Sequence, residues 1–284
     1  DGDDNHINNT IIDGGGNGSV VTLDSVHTTT IVSGFTITNG NATNSSDNNL
    51  PNGYGYGGGI YVKSPFYGDI ILTDLIVSDN TADHGGGIRI GANSWTVANA
   101  SINLVNIAIN DNLSYSNGGG ISLYSPNSGI AITMENLQII NNISQSNGGG
   151  IHLHCQECVL NNTAIRRNIA QNVGGGVVIR ESGQSMDVSL NYVDINHNFA
   201  YMMGGGIIID KNTNCNLDHV SIYNNSSNDG GGIYIDSYHG EPSGPPNTTI
   251  TNSILYNNYP ETFGSEYDSG DANIDISYTD IFLS

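Results

Sequence analysis

The sequence predicts an all-β fold, a right-handed parallel β-helix of about eight or nine coils, each made of three short strands. The first observation behind this prediction is a Gly-Gly-Gly tripeptide followed by Ile or Val, which recurs seven times at intervals of 26–33 residues. The second is the alternation of apolar and polar residues around each copy, which indicates strands rather than helices. Units of this length bury their apolar face only against their neighbours, so they are expected to stack as a solenoid. The seven copies begin at Gly57, Gly85, Gly118, Gly148, Gly174, Gly204 and Gly230.

A block of eleven residues upstream of each tripeptide aligns between coils without gaps. One of its apolar columns, which we assign to the interior, reads Val32, Leu72, Leu104, Met134, Leu160, Leu190, Leu217 and Ile250. The last position of the block is Gly40 in the first coil and asparagine in every later coil, from Asn80 to Asn258. The position six residues before it is mostly Gly, Asp or Asn, and Tyr192 is the misfit there. Exchange of Gly with Asn and Asp predicts corners with positive φ at both positions. The sequence leaves open whether the asparagine side chains also stack as amide ladders.

We predict a single domain over residues 1–284. It has an irregular first coil at 1–40, regular coils at 41–258 and an end coil at 259–284. The open ends of such a stack need covering, which the terminal segments are expected to provide. Three segments differ in length between repeats, namely 40–56, 91–101 and 236–247. Loops that leave a regular scaffold are where binding sites are built, so a site is expected beside them.

The charge balance is strongly acidic, with 6 Lys and Arg against 27 Asp and Glu and a net charge of −21. This charge argues against nucleic acid and anionic membrane surfaces as partners. No run of 18 apolar residues is present, so we expect no membrane-spanning helix. The three cysteines do not make a disulfide framework and leave the cellular compartment open. Long repeats rich in Asn, Gly, Ser and Thr favour a secreted or cell-surface protein of bacteria.

The pairing of Ile-x-x-Asn with Gly-Gly-Gly-Ile about five residues later, as at Ile109–Asn112 and Ile139–Asn142, resembles a known group of repeats. It is similar to bacterial surface proteins with right-handed parallel β-helix repeats, in which polymorphic outer-membrane-type repeats carry Phe-x-x-Asn and Gly-Gly-Ala-Ile. Here Ile replaces Phe and Gly replaces Ala. The resemblance covers nearly the whole chain and implies the architecture. The wider pectate-lyase-like superfamily includes lyases, hydrolases, adhesins and stalks, so the resemblance does not select an activity.

The strand after each tripeptide is expected to expose two outward columns. The first reads Tyr61, Arg89, Ser122, His152, Val178, Ile208 and Tyr234, and the second reads Lys63, Gly91, Tyr124, His154, Arg180, Asp210 and Asp236. Aromatic rings beside Arg, His and Asp on a flat β face suit sugar binding, because rings stack on pyranose faces while charged groups hydrogen-bond hydroxyls. We therefore predict a polysaccharide or cell-surface glycan as partner, bound by Tyr61, Lys63, Arg89, Tyr124, His152 and Tyr234. The oligomeric state is left open.

Two functional classes follow from this face. The favoured one is a non-catalytic extracellular module, a rigid scaffold with a glycan-binding or adhesive role. The alternative is a polysaccharide lyase or glycoside hydrolase. In that case His154 or Arg180 would act as a base, or Asp210 and Asp236 as a pair of carboxylates, which a hydrolase needs at roughly 5–10 Å.

Metal binding is the weaker possibility. His152, His154, Cys155 and Cys158 are four ligands of the kind that Zn²⁺ prefers within seven residues. The alternative, which we favour, is that Cys158 is buried or paired with Cys155. We predict no cofactor, although the net charge would attract Ca²⁺ to acidic segments such as 1–4 and 266–275; neither matches an established calcium loop.

Overall fold

The strands stack coil upon coil in three parallel sheets, which confirms the all-β, parallel β-helix class. The computed structural model describes residues 7, 9–43, 55–65, 67–91, 100–125, 130–180, 185–236, 246–265 and 273–282. Most of the three segments of variable length, and the acidic segments 1–4 and 266–272, lie outside these residues. No helix in the described part is long and apolar enough to cross a membrane.

Sheet A is the largest sheet, and most coils cross it with two consecutive strands. Sheet A comprises Ile11–Asp13, Thr30–Ser33, Thr36–Thr38, Ile70–Ser78, Ser101–Asn110, Ala131–Glu135, Gln138–Ile140, Glu157–Asn161, Ala164–Arg166, Met186–Asn191, Asp194–Asn196, Thr213–Asp218, Ser221–Tyr223, Asn247–Thr251, Ile254–Tyr256, Asn273–Ser277 and Asp280–Ile281. Sheet B comprises Asn41–Ala42, Thr81–Ala82, Leu113–Ser114, Ile143–Ser144, Ile169–Ala170 and Phe199–Ala200. Sheet C comprises Val21–Asp24, Ile60–Lys63, Ile88–Gly91, Ile121–Ser125, Ile151–Cys155, Val177–Ile179, Ile207–Ile209, Ile233–Ile235 and Phe263–Ser265.

The number of complete coils is smaller than predicted. Sheet C has nine described strands but sheet B has six, so six coils contribute a strand to all three sheets. In the coils that follow, sheet B continues only as single bridges, from Phe199 to Ser226 and from Ser226 to Tyr259. The prediction of eight or nine three-stranded coils is therefore too high, because the coils after Phe199 form no strand in sheet B.

The interior is one continuous apolar core that runs through the stack. The predicted inward column is buried, with Leu72, Leu104, Met134, Leu160 and Leu190 all at zero exposure. In register, Leu104 pairs with Leu72 on one side and with Met134 on the other, so each inward side chain packs on its counterpart one coil away. Burial of these aliphatic columns supplies the main stabilisation of the stack.

The corner prediction is confirmed for one column and wrong for the other. The column six residues upstream has positive φ, including 55° at Asn106 and 57° at the misfit Tyr192. At the end of the block, positive φ belongs instead to the preceding residue, as at Asp111 and Asn141, with 57° and 58°. The asparagine that follows is buried, and its side chain turns inward.

The buried asparagines form a continuous amide ladder along the axis. In the central coil, Asn142 Nδ2 donates to Asn168 Oδ1 at 3.0 Å and to the Ile109 carbonyl at 2.9 Å. Asn142 Oδ1 accepts from both the backbone N–H and Nδ2 of Asn112, at 3.1 and 3.0 Å. The same pattern joins Asn80, Asn112, Asn142, Asn168, Asn198, Asn225 and Asn258. The ladder therefore satisfies polar groups that would otherwise be orphaned inside the corner.

Candidate functional site

The first outward column of sheet C is buried, so the prediction that it is exposed is wrong. Tyr61, Arg89 and His152 are 8%, 9% and 5% exposed, respectively. The cause lies at the glycine tripeptide, whose first residue has φ between 60° and 69° in all seven copies. This turn brings the residue before the tripeptide back over the outer face of sheet C, as the 5.5 Å between the ring centroids of Tyr56 and Tyr61 shows.

The covering residues form a third column that the sequence prediction missed. They are Tyr56, His84, Asn117, Asn147, Val173, Met203 and Asp229, each directly before a tripeptide. Parallel bridges join several of them, including Tyr56 to His84 and Val173 to Met203. The sequence did offer a signal for this column. Tyr56, Val173 and Met203 are aromatic or apolar at a turn position, whereas a turn that faces solvent is ordinarily polar.

The covered column changes character along the axis. In its C-terminal half, Val178, Ile208 and Tyr234 pack with Val173 in a small apolar cluster outside the main core, against which Met203 also packs. Tyr234, which the sequence assigned to ligand binding, is thus 2% exposed and belongs to this packing. The N-terminal half instead holds Tyr61, Arg89, Ser122 and His152, and it is the candidate site.

Arg89 is the centre of this site. Its guanidinium carbon lies 5.2 Å from the ring centroid of Tyr56 and 5.5 Å from that of Tyr124, one ring from each neighbouring coil. Nη1 donates to Ser122 Oγ at 2.6 Å, whereas the buried Nε has no hydrogen-bond partner. No carboxylate among the described residues pairs with it. Burial lowers the pKa of Arg89 to about 10, so the group remains charged at neutral pH.

Three of the rings around Arg89, those of Tyr61, His84 and His154, are uncharged at neutral pH. Tyr56 stacks with His84 at 5.5 Å between centroids, and Tyr124 meets His154 edge-on at 4.6 Å. Burial, and then the charge of Arg89, lowers the pKa of His84 to about 4. Burial, followed by Arg180 and Arg89, lowers the pKa of His154 to about 4. Burial also raises the pKa of Tyr61 to about 12, so Arg89 is the charged member of this aromatic cluster.

The second outward column is partly exposed for most of its length, as predicted, but its two cations, Lys63 and Arg180, are paired. Lys63 Nζ lies 2.8 Å from Asp24 Oδ2, and Arg180 Nε lies 3.7 Å from Asp210 Oδ2. Both cationic side chains are about two-fifths exposed, so each pair contributes less than about 1 kcal/mol. Asp236 occupies the same column one coil beyond Asp210.

Gly91 interrupts the second column beside Arg89. It pairs with Lys63 on one coil and with Tyr124 on the next. A Cβ added at Gly91 would lie 3.8 Å from Arg89 Nε and 3.8 Å from Tyr61 Cε2, with no described atom closer. The unpartnered Nε therefore borders the one position of this column that carries no side chain.

The four candidate zinc ligands do not form a metal site. Cys155 and Cys158 are joined in a disulfide with an S–S distance of 2.03 Å, and both lie in the core with no exposure. Their thiolates are therefore not available to a metal. His152 is buried with an unpartnered Nε2, and burial, with Arg180 and Arg89, holds its pKa well below the usual range. In the part of the chain that the structure describes, no three His, Cys, Asp or Glu side chains come together as a metal site requires.

Replacing His152 by leucine is expected to flatten the dependence of stability on pH. Below about pH 6.5 the unfolded chain takes up a proton at His152 that the folded chain refuses, so the free energy of unfolding falls as the pH falls. One such proton contributes a slope of about 1.4 kcal/mol per pH unit. Urea unfolding at pH 5, 6 and 7 measures the slope.

Leucine also removes the unpartnered Nε2, so stability at pH 7 should stay equal or rise. Ile208→Leu, a buried apolar exchange in the same column, is the control and should keep the wild-type slope. Parallel slopes in wild type and His152→Leu would contradict the assignment of a neutral buried imidazole.

Comparison with known proteins identifies one unit of the stack. Residues 219–236 match the Chlamydia polymorphic membrane protein repeat. This match confirms the resemblance to β-helix proteins with polymorphic outer-membrane-type repeats. No curated protein and no solved structure is significantly similar to the chain.

The matched polymorphic membrane protein repeat corresponds to a definite structural unit. It starts at the corner residue His219, includes the ladder residue Asn225 and the tripeptide at Gly230, and ends at Asp236 after a strand of sheet C. The repeat thus describes the ladder, the tripeptide turn and the strand that carries the outward columns. The residues around Arg89 lie outside the match.

Proposed function

We propose that the chain is a bacterial cell-surface β-helix module that binds an acidic glycan, with Arg89 recognising the sugar carboxylate. The observation that carries this proposal is a buried guanidinium between two tyrosine rings with no carboxylate partner among the described residues. In a chain with a net charge of −21, acidic side chains are abundant, yet none of those described pairs with Arg89.

The energetics favour a missing anionic partner. Taking a cation out of water costs several kcal/mol in a protein interior. Each stacked tyrosine returns about 0.5–2 kcal/mol through its π face, and the hydrogen bond to Ser122 returns about as much. A carboxylate would add a charge-assisted hydrogen bond at Nε, which has no partner. Neutral His84 and His154 would not compete for this anion.

The surroundings suit a sugar as the carrier of that carboxylate. Tyr56, Tyr124 and His84 are partly exposed and present rings around Arg89. Rings of this kind stack on apolar sugar faces while a cation selects the acid group. Gly91 carries no side chain between Arg89 Nε and Tyr61, and Lys63 stands next to Gly91 in the same column.

The cellular setting is part of the same proposal. The match to a polymorphic membrane protein repeat supports display on the bacterial surface. The Cys155–Cys158 disulfide agrees with an oxidising compartment outside the cytoplasm. A rigid solenoid with an acidic surface would repel polyanions except where a local cation is offered, which favours selective recognition at Arg89.

The proposal is tested by binding of a uronic-acid polysaccharide and of the same polymer after complete methyl esterification. We expect the wild-type protein to bind the acidic form at least tenfold more tightly, because esterification removes the carboxylate charge of the polymer and leaves its sugar rings unchanged. Arg89→Gln should lose that preference. Arg167→Gln makes the same change of net charge at an exposed corner of the stack and should keep it.

Equal binding of both polymers, or equal loss in both variants, would contradict the role of Arg89. Circular dichroism establishes that Arg89→Gln is folded before binding is interpreted. Reducing ends and unsaturated products measured on the same polymers test the enzymatic alternative. Product lost in Asp210→Ala or His154→Ala would replace the binding proposal with a catalytic one.

A further inference from the structure

Sheet B presents an apolar strip to solvent. Its outward residues in four consecutive coils are Leu113, Ile143, Ile169 and Phe199, paired in register along the sheet. Ile143 and Phe199 are 38% and 42% exposed. Leu113 and Ile169 are partly buried. The usual outward residue of a solvated sheet is polar, so four apolar residues in a row form a continuous apolar patch on the surface.

A column of charged and polar residues runs alongside this sheet B strip at the corner with positive φ. It reads Asp79, Asp111, Asn141, Arg167 and His197, and all five are exposed. The column is acidic in the two coils before Asn141, and Arg167 makes it cationic in the coil after it. Its charge therefore reverses about the coil of Asn141 and Ile143.

We propose that the sheet B strip binds a second copy of this chain with the two solenoid axes antiparallel. A two-fold axis across the strip at the coil of Ile143 would place Ile143 against its counterpart and Leu113 against Ile169 of the other copy. The same axis would place Asp111 against Arg167 and Asp79 against His197. A two-fold interface must be self-complementary, and this corner column meets that condition.

The alternative arrangement with parallel axes is disfavoured by the same residues. Its two-fold axis would run along the solenoid and set each corner residue against the far edge of sheet B at the same coil, so Asp111 would not meet Arg167 and no opposite charges would pair. Five coils at a spacing of about 4.8 Å give a contact about 20 Å long. This length is small for a stable dimer, so the association is expected to be weak and to depend on concentration. The surface lies on sheet B, away from Arg89 on sheet C, and is independent of the glycan proposal.

The first experiment is sedimentation velocity of the full chain from 10 μM to 1 mM at 150 mM salt. We expect the weight-average sedimentation coefficient of the wild type to rise with concentration, and Ile143→Arg to stay monomeric because two like charges would meet on the axis. Ile31→Arg changes an isoleucine of sheet A that is 61% exposed, and it should associate like the wild type.

Charge reversal distinguishes a second copy from any other partner. Asp111→Arg should weaken association at least tenfold, since it would face Arg167 of the other copy. The double variant Asp111→Arg/Arg167→Asp should restore it, because each copy then supplies both reversed charges. A wild type that stays monomeric at 1 mM, or association that Ile143→Arg leaves unchanged, would overturn the proposal. Failure of the double variant to restore association would overturn the antiparallel pairing.

Discussion

Replacing Asn142 by aspartate is expected to lower the free energy of unfolding by about 3–5 kcal/mol at pH 7. The exchange preserves shape but converts the donor Nδ2 into an oxygen that faces the Ile109 carbonyl and Asn168 Oδ1, at 2.9 and 3.0 Å. Two acceptors then confront a buried carboxylate that has no solvent to relieve it. Urea unfolding at low protein concentration measures the loss.

The pH dependence of the Asn142→Asp variant should carry the opposite sign to that of His152. Burial among acceptors raises the pKa of the new carboxyl in the folded state, so the folded chain holds its proton at a pH where the unfolded chain has released it. The variant should therefore recover stability relative to wild type as the pH falls toward 4, and lose it as the pH rises. A protonated carboxyl can again donate one hydrogen bond to the ladder.

Asn141→Asp is the matched control, because it makes the same change of mass and charge one residue away. Asn141 is exposed with φ of 58°, and the preceding coils carry Asp111 and Asp79 at the same position. We expect its stability to stay within about 0.5 kcal/mol of the wild type. Equal losses in both variants would mean that charge, rather than the ladder, decides the outcome.

Replacing Gly149 by alanine is expected to be at least as damaging, with a loss of more than about 3 kcal/mol or failure to fold. A Cβ at this second glycine of its tripeptide would lie 2.5 Å from the Gly175 carbonyl oxygen and 2.6 Å from the backbone of Ile169. Those atoms belong to the next coil and cannot move without disturbing the stacking of the sheets. The thermal midpoint and the soluble yield measure the effect.

Gly91→Ala is the control for this variant. The nearest described atoms to its added Cβ lie at 3.8 Å, which is ordinary van der Waals contact. Gly91→Ala should therefore fold with nearly the wild-type midpoint. If Gly149→Ala matched it, close approach between coils would not be the reason for the glycine.

Most of the fold could be predicted from the sequence because the chain is a repeat. Each coil places the same residue type in the same environment, so the inward column from Leu72 to Ile250 appears as a period in the chain. The amide ladder lay among the asparagines that the alignment singled out, but the positive φ was assigned one residue too late. Asn and Asp suit both a left-handed corner and a buried ladder, and only the backbone separates the two roles.

The candidate site was only half predictable. Arg89, Tyr61 and Tyr124 were singled out as members of outward columns, yet Tyr56 and His84 were missed because they precede the tripeptide rather than follow it. The zinc hypothesis failed because it grouped residues that lie on opposite faces of the same strand. Cys155 points into the core and is bonded to Cys158, while His152 and His154 face the other side.

The sequence by itself determined the strands, their inward columns and the stacking of coils, because these depend on a local pattern repeated at a regular interval. The tertiary structure alone decided that the first outward column is covered and that Arg89 lies between rings from two other coils. It also decided that the column from Asp79 to His197 stands at an exposed corner with positive φ beside the sheet B strip. These features depend on which coils become neighbours and on how the glycine turn folds back, and a single repeat contains neither.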